Sequence, residues 1–157
     1  MTNEWNTLLG QLGQRLGIEG LQADDQGYCA LSMDDGWVLH LALVPARQGV
    51  QCMAELGPIP VHDRETILAR MLHANALLAG TDGAALGLDA ARNQGVLTLE
   101  AALAALDAAT LEAMLERFVL QTERWRGWLS SLAHGQGVAA TASTAPGDGL
   151  AHHWVRG

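Results

Sequence analysis

Two pairs of acidic residues are the first candidates for chemistry in this 157-residue chain. Asp24-Asp25 and Asp34-Asp35 could each offer two carboxylates to a divalent metal ion. Both pairs lie in polar turns, where aspartate favours the backbone geometry. Adjacent residues of a strand also point to opposite faces, which would separate two carboxylates. We therefore interpret both pairs as turn residues and predict no metal site there.

A nucleophile with a base is the next possibility, because Cys29 is accompanied by His40 and His62. Covalent catalysis also needs a group that orients the base, and no such group is evident around them. Cys29 lies in an apolar alternation that is typical of a strand, and Cys52 lies in another. We expect two buried thiols in a reduced, cytosolic protein.

Glycines and histidines give two weaker signals. A paired His152-His153 near the C-terminus could bind metal adventitiously and indicates nothing about function. Four glycines recur within a leucine stripe, but no Lys-Ser/Thr follows them, so a phosphate-binding loop is not predicted (Gly10, Gly13, Gly17 and Gly20). We expect no cofactor, no metal and no enzymatic activity; a small cytosolic enzyme is kept as an alternative.

The charge pattern excludes other classes of partner. The formal net charge is −8, and all nine basic residues are arginine. No basic stripe is present, so binding to nucleic acid is not expected. No stretch approaches the roughly 20 apolar residues of a membrane span, and residues 1–5 do not begin a secretory signal.

Hydrophobic periodicity predicts the order helix, three strands, helix, two strands, helix. Short connections favour an antiparallel sheet. We predict an α+β fold with a twisted five-stranded sheet and three helices over residues 1–132. From Ala133 the chain is rich in Ala, Gly, Ser and Thr, so residues 133–157 are predicted to be a flexible tail. The helices are predicted at about 4–17, 64–79 and 107–132, and the strands at 28–33, 38–44, 50–56, 85–89 and 96–100. Asp63 and Asp107 are predicted to cap the second and third helices, and Pro58 and Pro60 to end the sheet after its third strand.

The second predicted helix is apolar on two neighbouring lines. Ile67 and Met71 begin one line, while Leu68 and Leu72 begin the other. A helix that packs on a sheet through one face needs only one such line. The second line indicates either burial in the middle of one subunit or a second neighbour, such as another copy of the chain.

Five segments, taken in this order, resemble the class I chaperones of type III secretion systems, the Tir chaperone family. They are "LLGQLGQRLGI" (8–18), "DDQGYCALSMDD" (24–35), "AELGPIP" (54–60), "MLHANALLAGTDGAALGLD" (71–89) and "LEAMLERFVLQTERWRGWL" (111–129). The resemblance covers about residues 5–132. It implies a small acidic homodimer of the bacterial cytosol without enzymatic activity.

The resemblance also implies which residues are used. The second helix and the strand after it would form the dimer interface, through Leu68, Met71, Leu72, Asn75, Leu78, Leu86 and Leu88. Hydrophobic grooves would bind the partner, and we place them on the first helix and the first strands, through Trp5, Leu8, Leu12, Leu16, Leu31, Leu39 and Leu41.

The function that this implies is binding to an N-terminal segment of one or more secreted effector proteins. The segment would stay unfolded, soluble and ready for export, and the export ATPase would be a further partner. The alternative of the same fold is a regulatory protein that binds a transcriptional activator or anti-activator. The identity of the bound protein would distinguish the two.

Overall fold

The computed structural model describes residues 1–134 and 155–156. The predicted α+β order is confirmed, and the elements are α1 (Thr2–Leu16), β1 (Tyr28–Ser32), β2 (Val38–Val44), β3 (Gly49–Pro58), α2 (Arg64–Asn75), β4 (Ala85–Asp89), β5 (Gln94–Ala102), α3 (Ala108–Ala133) and β6 (Val155–Arg156). Most of the predicted tail, including Trp154, lies outside the described residues. No helix in the described part of the chain is long and apolar enough to cross a membrane.

The sheet has the strand order β4-β5-β3-β2-β1-β6, and every pair is antiparallel. The five predicted strands are all present. The sixth, β6, consists of two residues from the end of the chain that pair with Leu31 and Ser32. Because β6 follows β1 at one end of the sheet and β4 lies at the other, these two strands form the edges.

The two faces of the sheet differ in what covers them. The helices pack on one face, where the alternate residues of β1 to β3 and β5 are buried, among them Leu31, Leu41, Cys52 and Leu97. The residues between them on β1 to β3 remain half-buried or exposed. A strand alternates its side chains between faces, so this pattern shows a covered face and an open face.

The helix α1 lies over the covered face and beside α3. Its stripe Trp5, Leu8, Leu9 and Leu12 is buried, and the Trp5 indole Nε1 donates a hydrogen bond to the Gly27 carbonyl at 3.1 Å. The helix ends at Gly17, whose φ of 72° is the left-handed conformation that glycine adopts without a Cβ penalty. The predicted first helix is therefore confirmed.

The helix α2 begins at Arg64 as predicted, but its N-cap and its C-terminal end differ from the prediction. Asp63, predicted to cap its N-terminus, has φ 58° and makes no side-chain capping hydrogen bond. The α-helix ends at Asn75 and continues as a short 3₁₀ turn, Ala76–Leu78, instead of reaching residue 79. The end of β3 at Pro58 agrees with the prediction that proline stops the sheet, because proline cannot donate to the ladder.

The helix α3 is the long buried helix of the fold. Asp107 caps it as predicted, accepting a hydrogen bond at 2.7 Å from the Thr110 backbone N–H. Its apolar stripe is buried against the sheet and α1, including Leu115, Phe118 and Trp125. The helix thereby holds the sheet and the other two helices in one core.

Candidate functional site

The side chains predicted to line a partner groove lie mostly in the core. Trp5, Leu8, Leu12, Leu31, Leu39 and Leu41 are buried within the single chain, while Leu16 is half-buried. In this conformation a fully buried side chain cannot touch a partner. Their direct contact with an effector therefore stays a prediction, and it would require these side chains to leave the core.

The open face of the sheet carries the side chains that alternate along the strands with the predicted groove residues Leu31, Leu39 and Leu41. Ala30, His40, Met53 and Thr98 follow one another across four strands, since each pairs with the next in the strand register. Tyr28 lies beside this row, and its hydroxyl is 2.6 Å from the His40 Nδ1. The face is mixed in character, with small and apolar residues between polar ones.

The residues of this surface were not among those predicted to bind a partner, for a physical reason. Val38 and Ala42 lie on the face of β2 opposite to Leu39 and Leu41, and the period of a strand does not show which face the helices cover. Both faces of β2 carry enough apolar residues to form part of a core. The half-buried state of Val38, Ala42 and Met53 now identifies them as candidate contacts.

The outer side of β1, where β6 pairs only with Leu31 and Ser32, is a second place where a chain can add. Arg156 pairs with Leu31 and Val155 with Ser32, so the end of this chain already lies along part of that edge. Main-chain pairing at a sheet edge is a general way to bind an extended segment. This side of β1 therefore borders the open face, and β6 of the same chain already pairs with part of it.

The predicted dimer residues divide into exposed and buried groups. Leu72 is 70% exposed and Leu78 is 41% exposed. Leu68 and Leu88 are half-buried. Met71 and Leu86 are buried in the core, where they pack beneath the exposed leucines and not at the surface. We use the name α2 flank for the four predicted leucines that lie outside the core, which are the exposed Leu72 and Leu78 and the half-buried Leu68 and Leu88.

Asn75, also predicted for the dimer interface, has a defined role within the chain. Its Nδ2 donates to the Leu86 carbonyl at 2.9 Å, and its Oδ1 accepts from the Leu86 N–H at 2.8 Å. The side-chain amide thus satisfies the outer edge of β4 as a neighbouring strand would. This pair of bonds fixes α2 against the sheet and positions the α2 flank.

Within residues 1–134, Cys29 and His40 do not form the nucleophile–base pair that was considered from the sequence, and His152-His153 lie outside the described residues. Cys29 faces the core, while His40 lies on the open face, so this pair cannot exchange a proton. Cys29 and Cys52 are both buried thiols outside any disulfide, as predicted. Burial raises the pKa of the Cys52 thiol to about 12, because the thiolate would lose its solvation.

The acidic pairs Asp24-Asp25 and Asp34-Asp35 lie in turns, as predicted. The Asp24 Oδ1 accepts hydrogen bonds of 2.9 Å from the backbone N–H groups of Gln26 and Tyr28. The Asp34-Asp35 pair lies in the turn closed by a hydrogen bond from the Gly36 N–H to the Met33 carbonyl. Each pair therefore shapes the connection into or out of β1.

Comparison with known proteins identifies the family. The family model described as Tir chaperone protein (CesT) family matches residues 7–126. The chain belongs to this family. The match begins in α1, ends in α3 and includes β1 to β5. It confirms the resemblance to class I type III secretion chaperones and the type III secretion chaperone function implied by it.

Solved structures of similar proteins agree with this membership. A chain of the HopA1–SchA chaperone–effector complex is 25% identical with a TM-score of 0.67, and the match covers 80% of this chain and 95% of that one. A chain of the ExsC–ExsE complex is 20% identical with a TM-score of 0.69, covering 82% and 96%.

A third similar structure comes from Yersinia pestis, the type III secretion chaperone SycH in complex with a fragment of YscM2. It is 19% identical with a TM-score of 0.64, and the match covers 77% of this chain and 98% of that one. A search of curated proteins found no match. The Tir chaperone fold is thus shared at low sequence identity.

Proposed function

We propose that this Tir-chaperone-family protein binds an N-terminal segment of one or more secreted effectors in the bacterial cytosol. The segment is held extended, which keeps it from aggregating before export. The family membership and the similar chain of the HopA1–SchA chaperone–effector complex support this proposal. Contact with the export ATPase, and the absence of catalysis, stay predictions.

The observation that carries the proposal is an open sheet face with apolar residues beside a short terminal strand, β6. Val38, Ala42 and Met53 offer half-buried apolar surface, and the outer side of β1, which β6 pairs at Leu31 and Ser32, would offer backbone hydrogen-bonding groups once β6 is displaced. An extended segment needs both, because alternate side chains supply specificity while the main chain supplies pairing. A segment that paired along β1 would replace β6.

We infer that the functional unit is a homodimer formed through the α2 flank. Leu72 and Leu78 are large apolar side chains that the single chain leaves exposed. Exposed apolar surface of this kind marks an interface more often than it serves a monomer. A two-fold axis would bring the same surface of both copies together.

The partner test uses the first ~100 residues of an effector encoded beside this chain, a length several times that of a β-augmenting segment. We expect the co-expressed fragment to co-purify with the chaperone and to show little amide protection outside the bound segment. Val38→Asp or Met53→Asp should weaken binding by about tenfold or more, because a charge is desolvated at an apolar contact.

The control for this test is Leu120→Asp, which adds the same charge to a leucine of α3 that is 57% exposed. It should leave binding unchanged. If both open-face variants bind like the wild type while still folded, the open face is not the contact surface. Apolar anchoring also predicts only modest weakening by salt, so loss of binding at high salt would contradict it.

A further inference from the structure

A cleft between α2 and α3 is not used by the surfaces described above. Its volume is about 390 Å³. Four of its lining residues are small, and the other five are two tryptophans, two arginines and a histidine. The lining residues are Arg70, His73, Ala74, Ala76, Ala79, Gly80, Arg124, Trp125 and Trp128.

The aromatic wall of the cleft is held in place. The Trp125 and Trp128 rings meet edge to face, with centroids 5.2 Å apart and planes at 89°. The Trp125 Nε1 donates to the Gly80 carbonyl at 3.4 Å, which ties α3 to the loop after α2. Trp125 is buried and Trp128 is half-buried, so an entering side chain meets a fixed apolar surface.

The cationic groups are arranged around that wall. The Arg70 Cζ lies 4.5 Å from the centre of the Trp128 ring, a cation–π geometry. A guanidinium stacked on a ring keeps its in-plane N–H groups available for a carboxylate. Arg124 lines the opposite side of the same cleft. The combination places hydrogen-bond donors beside an apolar surface.

The charges of the cleft contrast with the rest of the protein, whose formal net charge is −8. No acidic residue lines the cleft. In residues 1–134, neither Arg70 nor Arg124 forms a hydrogen bond or an ion pair, whereas the other arginines of that range have partners. Those partners are Glu112 for Arg15, Glu100 for Arg47, Asn93 for Arg64, Glu55 for Arg92, the Ala113 carbonyl for Arg117 and the Glu55 carbonyl for Arg126.

The cleft lies on the other side of α2 from the proposed dimer surface. With about 3.6 residues per turn, Arg70 and His73 fall on one side of the buried line Ile67–Met71, and Leu68 and Leu72 fall on the other. Two copies joined through the α2 flank would leave the cleft accessible. The occupant is therefore not the second copy.

We propose that this cleft binds a carboxylate-bearing segment of a partner protein, an acidic side chain next to an aromatic or aliphatic one. The carboxylate pairs with Arg70 and Arg124, and the apolar neighbour packs on Trp125 and Trp128. Charge-assisted hydrogen bonds to guanidinium groups supply the selectivity. The proposal rests on the proposed function in that it gives the bound effector a second, chemically distinct contact.

The experiment titrates a blocked hexapeptide of alternating glutamate and phenylalanine into the full-length protein, with the glutamine–phenylalanine peptide in parallel. The indole N–H signals of Trp125 and Trp128 in a ¹H–¹⁵N spectrum report the cleft directly. We expect the acidic peptide to shift both signals and the amide peptide to shift them far less. Arg70→Gln and Arg124→Gln should each weaken binding about three- to tenfold, allowing for solvent screening.

The matched control is Arg117→Gln, which removes the same charge from an exposed position of α3 outside the cleft. Equal weakening by Arg117→Gln, equal binding of the amide peptide, or no shift of the two indole signals would overturn the proposal. Dissociation of a dimer by Arg124→Gln would also overturn it, because the cleft would then belong to the dimer interface.

Failure of this proposal is distinguishable from failure of the proposed function. If the acidic peptide binds as expected but no effector segment binds the open face, the cleft stands and the effector proposal falls. If an effector segment binds and responds to Val38→Asp, while the peptide leaves Trp125 and Trp128 unshifted, the effector proposal stands and the cleft falls.

Discussion

The exposed side chain of Leu72 offers a direct test of the homodimer. Burying a whole leucine contributes about 1.5–3 kcal/mol. Leu72 is 70% exposed, so about 1–2 kcal/mol remains to be gained when a partner covers it. A two-fold interface contains the residue twice, which makes about 2–4 kcal/mol for the dimer. Leu72→Glu should therefore raise the dimer dissociation constant by about 30- to 1,000-fold, before any cost of burying the charge.

The assay is sedimentation equilibrium over a concentration series, with thermal unfolding of the same samples. The wild type should approach twice the 16.6 kDa mass at micromolar concentration, and Leu72→Glu should sediment as a monomer. Leu120→Glu, at another exposed leucine, should behave like the wild type. A monomeric wild type, or a Leu72→Glu variant that stays dimeric, would refute the reasoning. Met71→Glu is less informative, because Met71 is 4% exposed and the change would disturb the core.

Asn75→Ala removes both hydrogen bonds to the Leu86 backbone, and should lower the free energy of unfolding in urea by about 1–3 kcal/mol. Asn75→Asp keeps the acceptor but sets a carboxylate oxygen against the Leu86 carbonyl, so it should also lower the free energy of unfolding. The hydrogen bond from the Thr110 N–H lowers the pKa of the Asp107 carboxyl in the folded state. Its stabilisation is therefore complete above about pH 4 and is lost as the pH falls further. Asp107→Asn should remove this part of the pH dependence of Tm. Because the pKa of Cys52 is about 12, iodoacetamide at pH 8 should label it only in urea, and labelling of the folded protein would contradict its burial.

The order and type of the elements follow from the sequence itself. Alternation around Cys29 and Leu41 has the period of a strand, and the stripe through Leu115 and Trp125 has that of a helix. The period of the apolar residues shows which side chains share one face of a helix or strand. It does not depend on how the elements are arranged in space. The cap at Asp107 was equally local, since its partner lies three residues away. The family could be recognised for the same reason, because its segments are local patterns in a fixed order.

The surfaces available to a partner were decided only by the tertiary structure. The strands carry apolar residues on both faces, and packing of the helices selected the face of Leu31 and Leu39 as the core. The predicted groove residues were chosen from that face because periodicity does not show which face a helix covers. Asn75 meets Leu86 across 11 residues of chain, and the cleft joins Arg70 of α2 with Arg124 of α3. Such contacts depend on how separate elements approach one another, which no local pattern encodes.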